Sequence, residues 1–231
     1  LHTVMADAST HELVGCEVTL KGLNAKPELN GRLGKVKAWL PDRGRLQVKL
    51  LDDDGVEIID YLSTVLVVLP PQGFDEQVMR CARSSLAVLH IATRSVSSEF
   101  DEMVSGRLQD EFLVEGVLAD ESMEGYSGLV IVGGEGAKTL WTDADAIRLA
   151  KEAAAQGKMI GAWGDAVGVL ASAGVVSGVK VTGSSDCHLA LKKAGAKLST
   201  RQVVSSGMIV TGLDGTVGMR FGKALAQVVT V

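Results

Sequence analysis

Aromatic residues are scarce in this sequence, at 4% of 231 residues, and there are only four prolines. The core must therefore be built from Val, Leu, Ala and Ile, which fits a chain that is 46% hydrophobic. That length is enough for one large domain, or for a small domain and a medium one. No apolar run approaches the roughly 20 residues of a membrane-spanning helix. The sequence therefore predicts a soluble protein without a membrane span.

Cysteine and histidine are also few, with three and four residues. Cys16, Cys81 and Cys187 show no paired spacing, which is typical of free thiols in a reducing, intracellular compartment. The histidines lack the spacing of metal ligands, and we expect neither a metal nor another cofactor. The chain starts at Leu1 instead of Met. This start is compatible with the cytoplasm, or with an organelle such as a plastid after a targeting peptide has been removed.

Residues 13–69 contain five short apolar runs, the last of them "VLVVL", separated by turn-forming segments such as "PDRG" and "DDDG". Short strands without a helical period predict a small β-barrel. The stretch "GCEVTLKGLNAKPELNGRLGKV", followed by "GRLQVKL", resembles Src-homology-three-like barrels, a resemblance that implies a scaffold and no particular ligand. We expect residues 1–12 to form a tail and residues 70–84, which open on a proline pair, to form a linker.

From residue 85 the pattern changes to strands alternating with helices. "LAVLHIA", "GLVIVGGEG", "MIGAW", "VKVTG" and "MIVTG" read as strands. "SEFDEMVSGRLQDEFL", "DADAIRLAKEAAAQGK", "AVGVLASAGVV" and "VGMRFGKALAQVV" read as helices, the second of them with Asp143 or Asp145 in its first turn and Gly157 at its end. This alternation predicts, for residues 85–231, an α/β domain with a doubly wound, mostly parallel, flavodoxin-like sheet. Sites in such sheets lie at the carboxyl ends of the strands.

Three motifs of this region resemble the DJ-1/PfpI superfamily, which has the class I glutamine amidotransferase-like fold. They are "YSGLVIVGGEGAKTL", "GKMIGAWGDAVGVLASAGVVSGVKVT" and "GMIVTGLDGTVGMRFGKALAQVV". The resemblance implies a nucleophilic cysteine on a strained elbow directly after "MIGAW". Here that position is Gly164, followed by Asp165, which can act only as an acid, a base or a ligand. Because glycine adopts the elbow without strain, we expect a relaxed turn or a closed pocket.

The resemblance also implies a loop of backbone amides and a glutamate. Gly133, Gly134 and Gly136 match the glycine loop, which either binds a ligand through its amides or only fits a helix against the sheet. The glutamate follows the first strand of the family, and Glu99 or Glu102 is the candidate for that position. A carboxylate early in a helix is also typical of a solvated or capping residue.

Cys187 and His188 form the remaining candidate pair, with Asp186 beside them. Adjacent residues of one element point in different directions, which argues against a direct thiol–imidazole contact. The alternative interpretation is a surface thiol beside a surface imidazole. In the N-terminal segment, basic residues form a strip that could bind a charged partner or be an ordinary solvated face. The candidate partner-binding residues are Arg32, Lys35, Lys37, Trp39, Arg43 and Arg45.

These features favour a non-catalytic, DJ-1/PfpI-like protein that serves as a structural or adaptor subunit of a larger assembly. The barrel would be its docking module, and a homodimer is compatible with the same interpretation. A second hypothesis is an active hydrolase or lyase that uses Asp165, Glu99 or Cys187. A third is nucleic-acid binding through the basic strip, which the acidic stretch that follows it, residues 52–60, disfavours.

Overall fold

The computed structural model describes residues 14–19, 29, 31–40, 45–51, 56–57, 64–89, 91–99 and 103–229. In the N-terminal part, β1 (Glu17–Thr19), β2 (Leu33–Leu40), β3 (Arg45–Leu50) and β4 (Val56–Glu57) form an antiparallel sheet in the order β1-β2-β3-β4. Val36 and Val48 are buried and face each other across β2 and β3, while Lys35 and Lys37, on either side of Val36 in β2, are exposed. This alternation is typical of a sheet with one apolar and one polar face.

The predicted closed barrel is not seen among the described residues, and one of its five strands was misassigned. The run "VLVVL" lies in β5 (Thr64–Leu69), which belongs to the large sheet of the following domain. All six residues of β5 are buried, because both faces of that sheet are covered. The predicted barrel end at residue 69 is therefore wrong.

The large sheet has seven strands in the order β10-β7-β5-β11-β12-β16-β15. All pairs are parallel except the pair between β15 and β16. The bounds of the remaining strands are β6 Gln72–Phe74, β7 Ala92–Ser97, β8 Met103–Gly106, β9 Glu111–Leu113, β10 Gly116–Val117, β11 Tyr126–Ile131, β12 Met159–Trp163, β13 Lys180–Val181, β14 Lys197–Leu198, β15 Val203–Ser206 and β16 Ile209–Gly212. The mixed α/β class with a mainly parallel sheet is confirmed.

Helices cover both faces of this sheet. Their bounds are α1 Glu76–Ala87, α2 Ala144–Ala155, α3 Val167–Ser172, α4 His188–Lys193 and α5 Gly218–Val228. Met79 of α1 and Phe221 of α5 belong to the core on one face, and Leu149 of α2 and Leu170 of α3 belong to the core on the other. The predicted start of α2 is confirmed, since the Asp143 carboxylate accepts hydrogen bonds from the backbone N–H groups of residues 145 and 146.

Three predicted segments between residues 70 and 113 are wrong: a linker, a strand and a helix. The expected linker is mostly α1, whose buried residues recur at helical spacing, and the first two residues of the expected strand "LAVLHIA", Leu86 and Ala87, are the last two of that helix. The strand itself begins only at Ala92. The expected helix over residues 98–113 contains the antiparallel pair β8 and β9, and β8 alternates between exposed and buried residues as a strand does.

None of the helices in the described ranges is long and apolar enough to cross a membrane.

Candidate functional site at the Gly164 elbow

The connection between β12 and α3 is a sharp turn centred on Gly164. Its φ angle is +56°, in the left-handed region where glycine is the favoured residue. A Cβ placed on Gly164 would have 3.9 Å to the Cα of Asp214 and 4.0 Å to the backbone N of Gly134. The expectation of a relaxed turn or a closed pocket is therefore wrong. The elbow geometry is present, and there is room for a side chain above it.

A cavity of ≈ 740 Å³ opens over this elbow. It lies at the carboxyl ends of β11, β12 and β16, next to the residues that follow β6, as expected of a parallel sheet. Its lining contains four acidic residues, Asp75, Glu135, Asp165 and Asp214, and one basic residue, Arg107. The other lining residues are Gln77, Gly134, Gly164, Ser184, Gly215, Thr216 and Gly218.

Asp75 is the carboxylate buried most deeply at this site, with 7% of its surface exposed. The indole Nε1 of Trp163 donates to its Oδ2 at 3.3 Å, and the guanidinium of Arg107 lies 3.6 Å from its Oδ1. Burial raises the pKa of the Asp75 carboxyl above its ordinary value, and the Arg107 charge and the Trp163 hydrogen bond only partly offset this effect. A carboxyl group with a raised pKa keeps its proton to a higher pH than an ordinary aspartate does.

Asp75 also occupies the N-cap position of α1, but its side chain makes no capping hydrogen bond. Aspartate at this position usually accepts from the first backbone N–H groups of the helix, which stabilises a protein by about 1 kcal/mol. The carboxylate is directed at Trp163 and Arg107 instead. The Asp75 side chain therefore does not cap α1, and its carboxyl group lies in the cavity lining instead.

The glycine loop after β11 lies very close to β6 and to Asp75, which follows β6. A Cβ on Gly136 would come within 1.8 Å of the Gln72 carbonyl oxygen, and one on Gly134 within 2.5 Å of the Gly73 carbonyl oxygen. The backbone N–H of Asp75 also donates to the Gly133 carbonyl oxygen at 2.8 Å. The close packing of the glycine loop against these residues explains these glycines. Gly134 lies in the cavity lining, so one amide of the loop is also placed to meet a ligand.

The structure brings together only some of the residues that the sequence singled out. Gly134, Gly164 and Asp165 line the same cavity, whereas Glu99 is exposed and lines a second cavity of ≈ 570 Å³. Glu102 lies outside the described residues. Glu99 is the candidate that follows if "LAVLHIA" is the first strand of the domain. Since the first strand is β5, the carboxylate that follows it and lines the Gly164 cavity is Asp75.

Cys187 is fully buried, so the interpretation of a surface thiol is wrong. Its Sγ donates to the Ser184 carbonyl oxygen at 3.0 Å and lies 3.8 Å from the Gly164 carbonyl oxygen, close to the elbow. Burial raises the pKa of this thiol to about 11. The ring of His188 is directed at the Gly183 carbonyl oxygen, at 3.3 Å. The two side chains thus have different partners, and they do not form an activated pair.

Sequence reasoning missed Ser184, which follows β13 and lines the cavity. Its hydroxyl donates a hydrogen bond to Oδ1 of Asp165, and its backbone N–H donates to the Gly164 carbonyl oxygen at 3.3 Å. Asp165 is itself held in place, because Trp141 Nε1 donates to its backbone carbonyl oxygen at 2.7 Å. Among the described residues, no group of histidine, cysteine or carboxylate side chains could hold a metal ion.

Arg43 of the basic strip lies outside the described residues, and only the backbone of Trp39 and Arg45 is described. Lys35 and Lys37 are exposed, and Arg32 is half-buried. In the strand register Lys35 lies between Glu17 of β1 and Lys49 of β3. The polar face of the N-terminal sheet therefore has a basic centre.

Comparison with known proteins agrees with the α/β architecture. The profile of the DJ-1/PfpI family matches residues 63–228. An uncharacterised protein of Methanocaldococcus jannaschii is 30% identical over 170 residues, which cover 72% of this chain and 82% of that protein. A ThiJ/PfpI domain protein from Brachyspira murdochii superposes with a TM-score of 0.68 and 25% identity, over 71% of this chain and 95% of its own. A two-domain protein from Anabaena variabilis, with DJ-1/ThiJ/PfpI-like and ferritin-like domains, shares the fold at a TM-score of 0.67 and 19% identity, over 71% of this chain and 47% of its own.

Proposed function

Since this chain belongs to the DJ-1/PfpI family and has glycine at the elbow, we propose that it binds a small polar molecule in the Gly164 cavity without cysteine chemistry. The observation that supports this proposal is the combination at residue 164 of a positive φ angle with open space above the turn. A pocket with an open elbow and no cysteine is suited to binding a ligand. It lacks the thiol for the cysteine-dependent covalent step that the family resemblance implies.

The lining indicates which molecules fit. Carboxylates outnumber cationic side chains four to one in this cavity, so the local potential favours a neutral or cationic molecule over an anion. Asp75 and Asp165 offer acceptors, and the amide of Gly134 offers a donor. Arg107 is largely exposed and only loosely paired with Asp75, so it can turn toward solvent when a cationic group approaches.

The hypothesis that Cys187 or Glu99 acts as a catalytic residue at the elbow is disfavoured. Cys187 is buried, and its pKa is raised. Glu99 belongs to another cavity. Neither residue can replace a nucleophile or an acid at the elbow without a rearrangement of the fold.

A ligand-observed NMR screen tests binding. Fragments that carry an amine, a guanidinium, an amide or a carboxylate are added to the purified chain, and saturation transfer is recorded. We expect signals from cationic and neutral fragments. Thr216→Trp, at an exposed residue of the lining, should abolish them, whereas the control Thr139→Trp, at an exposed residue of the second cavity, should not. Signals that are equal in all three proteins, or none at all, would contradict the proposal.

We also propose that the chain acts within a larger assembly and that its N-terminal sheet is the docking element. The support is the basic centre of the polar face, with Lys35 and Lys37 exposed on β2. Such a face steers an acidic partner through complementary charge, in a manner that depends on salt. The double variant Lys35→Glu, Lys37→Glu should weaken association with the partner and flatten its salt dependence. If duplex or single-stranded nucleic acid competes for the same face, the hypothesis of nucleic-acid binding replaces the docking role.

A further inference from the structure

Two side chains of the Gly164 cavity form a hydroxyl–carboxylate pair that the family resemblance does not include. The Ser184 hydroxyl donates to Oδ1 of Asp165, and both residues line the cavity. Ser184 is half-buried, so its hydroxyl can be reached from the cavity. A nucleophile within hydrogen-bond distance of a base that is itself fixed in position is the arrangement used in nucleophilic catalysis.

The elements around the pair hold both partners in place. Asp165 is the residue after the elbow, and its backbone carbonyl accepts from the indole of Trp141. The backbone N–H of Ser184 donates to the Gly164 carbonyl oxygen, which ties the loop after β13 to the same elbow. Because the pair is fixed through the main chain at both ends, little ordering is needed before a reaction.

The missing side chain of Gly164 leaves the space that a reacting carbonyl group needs. The nearest atoms to a Cβ at that position are 3.9 and 4.0 Å away, and the second of them is the backbone N of Gly134. A backbone amide next to a reacting carbonyl stabilises the negative charge that develops on its oxygen. The Ser184 hydroxyl, the Asp165 carboxylate and the Gly134 amide therefore belong to residues that line the same cavity.

We propose that Ser184 and Asp165 form a catalytic dyad that hydrolyses short carboxylic esters without a negative charge. The Ser184 oxygen bonds to the ester carbonyl carbon, and its proton passes to the Asp165 carboxylate. The bond between that carbon and the alcohol oxygen breaks, and the alcohol leaves with the proton from Asp165. Water then attacks the acyl-serine, gives a proton to Asp165 and releases the acid, and Asp165 returns the proton to Ser184.

The preference for uncharged or cationic esters follows from the charges of the lining, in which four carboxylates face one arginine. This inference rests on the proposed open cavity and goes beyond it, because it adds a reaction to binding. The thiol of Cys187 is 3.8 Å from the Ser184 hydroxyl, but it is buried and its raised pKa keeps it protonated, so it does not compete as the nucleophile.

The test is covalent labelling with a fluorophosphonate probe, followed by intact-mass and peptide mass spectrometry. The Ser184 oxygen displaces fluoride from phosphorus, so a reactive serine gains a fixed mass. We expect one adduct per chain, located at Ser184, and slow turnover of p-nitrophenyl acetate. Ser184→Ala should lose both. Asp165→Asn should lower the labelling rate by about 100-fold, the lower end of what a general base contributes.

Ser185→Ala is the matched control, because Ser185 is the exposed neighbour and its hydroxyl is directed at Asp186. It should label like the wild type. Mapping the adduct on the wild-type chain needs no variant, so the test remains valid even if Ser184→Ala fails to fold. No adduct at Ser184, or an unchanged labelling rate in Asp165→Asn, overturns the dyad. Fragment binding that persists in that case would leave the binding role standing, so the two proposals can fail separately.

Discussion

Gly164→Cys is the substitution that most directly tests whether the elbow can still present a side chain. The backbone there has a φ angle of +56°, where a residue with a Cβ is strained by about 1–2 kcal/mol. No atom outside the neighbouring residues lies closer than 3.9 Å to the new Cβ, so we expect no steric cost in addition. For a chain of this size, that strain should lower Tm by about 2–8 °C.

Two glycine variants calibrate this magnitude. Gly164→Ala has the same backbone strain without a thiol. Gly157→Ala, at the end of α2, has a φ angle of +65° and nothing within 4 Å of its Cβ. All three substitutions should therefore destabilise the protein to a similar extent. A loss at Gly164 several times larger than at Gly157 would show that the cavity is closed and that the geometric argument is wrong.

Thiol accessibility is the second part of the test. Cys16 and Cys81 are replaced by serine, and the buried Cys187 stays as an internal reference. The new thiol should react with a disulfide reagent in the folded protein, because it would stand in the cavity beside the Gly134 amide. Asp75, Asp165 and Asp214 oppose formation of the thiolate, so we expect accessibility without an unusually reactive thiol. A new thiol as slow as Cys187 would refute the open elbow.

Three further predictions concern Cys187, Gly136 and Asp75. Cys187 should stay unmodified by a disulfide reagent at pH 8 until the chain unfolds, because burial raises its pKa to about 11; rapid modification would contradict its burial. Gly136→Ala should destabilise the fold by about 3 kcal/mol or more, because its Cβ would lie 1.8 Å from the Gln72 carbonyl oxygen; a mild loss in chemical denaturation would mean that the glycine loop and β6 are not in contact. Asp75→Asn should raise Tm at pH 7.5 more than at pH 4. Thermal unfolding of the variant and the wild type at the two pH values measures this difference.

Much of the α/β domain was predictable from the sequence because its strands and helices differ in period and length. The helix α2, with its Asp143 cap, and the strand "MIGAW" are examples. The position of the first strand of the domain was not predictable. "VLVVL" is apolar throughout, and such a run does not reveal whether it is buried in a barrel or in a parallel sheet.

That error misplaced one site residue, and a second one, Ser184, was missed for a different reason. With β5 assigned to the barrel, the sequence points to Glu99 as the carboxylate after the first strand, whereas Asp75 is the carboxylate that comes after β5 and the short strand β6. Ser184 offered only a weak signal, as a polar residue after a strand. Its hydrogen bond to Asp165 joins residues 19 positions apart and depends on how the loop after β13 folds back on the elbow.

The positive φ angle at Gly164 supports the binding proposal only together with the open space above the turn, because glycine alone holds such an angle at little cost. Asp75 is a second, independent line of evidence for a function of the cavity. Its side chain is buried, its pKa is raised, and it makes no capping hydrogen bond to α1. The ionised form of Asp75 therefore lowers the stability of the fold. The folded state binds its proton more tightly than the unfolded state, so the stability it contributes falls as pH rises above the ordinary carboxyl range. Asp75→Asn keeps an acceptor for Trp163 and removes the charge, so its stabilising effect should grow with pH. A variant that is less stable than wild type at pH 7.5 would show that Asp75 serves the fold, and a stabilised variant would show that the chain keeps a costly charge in the cavity for another purpose.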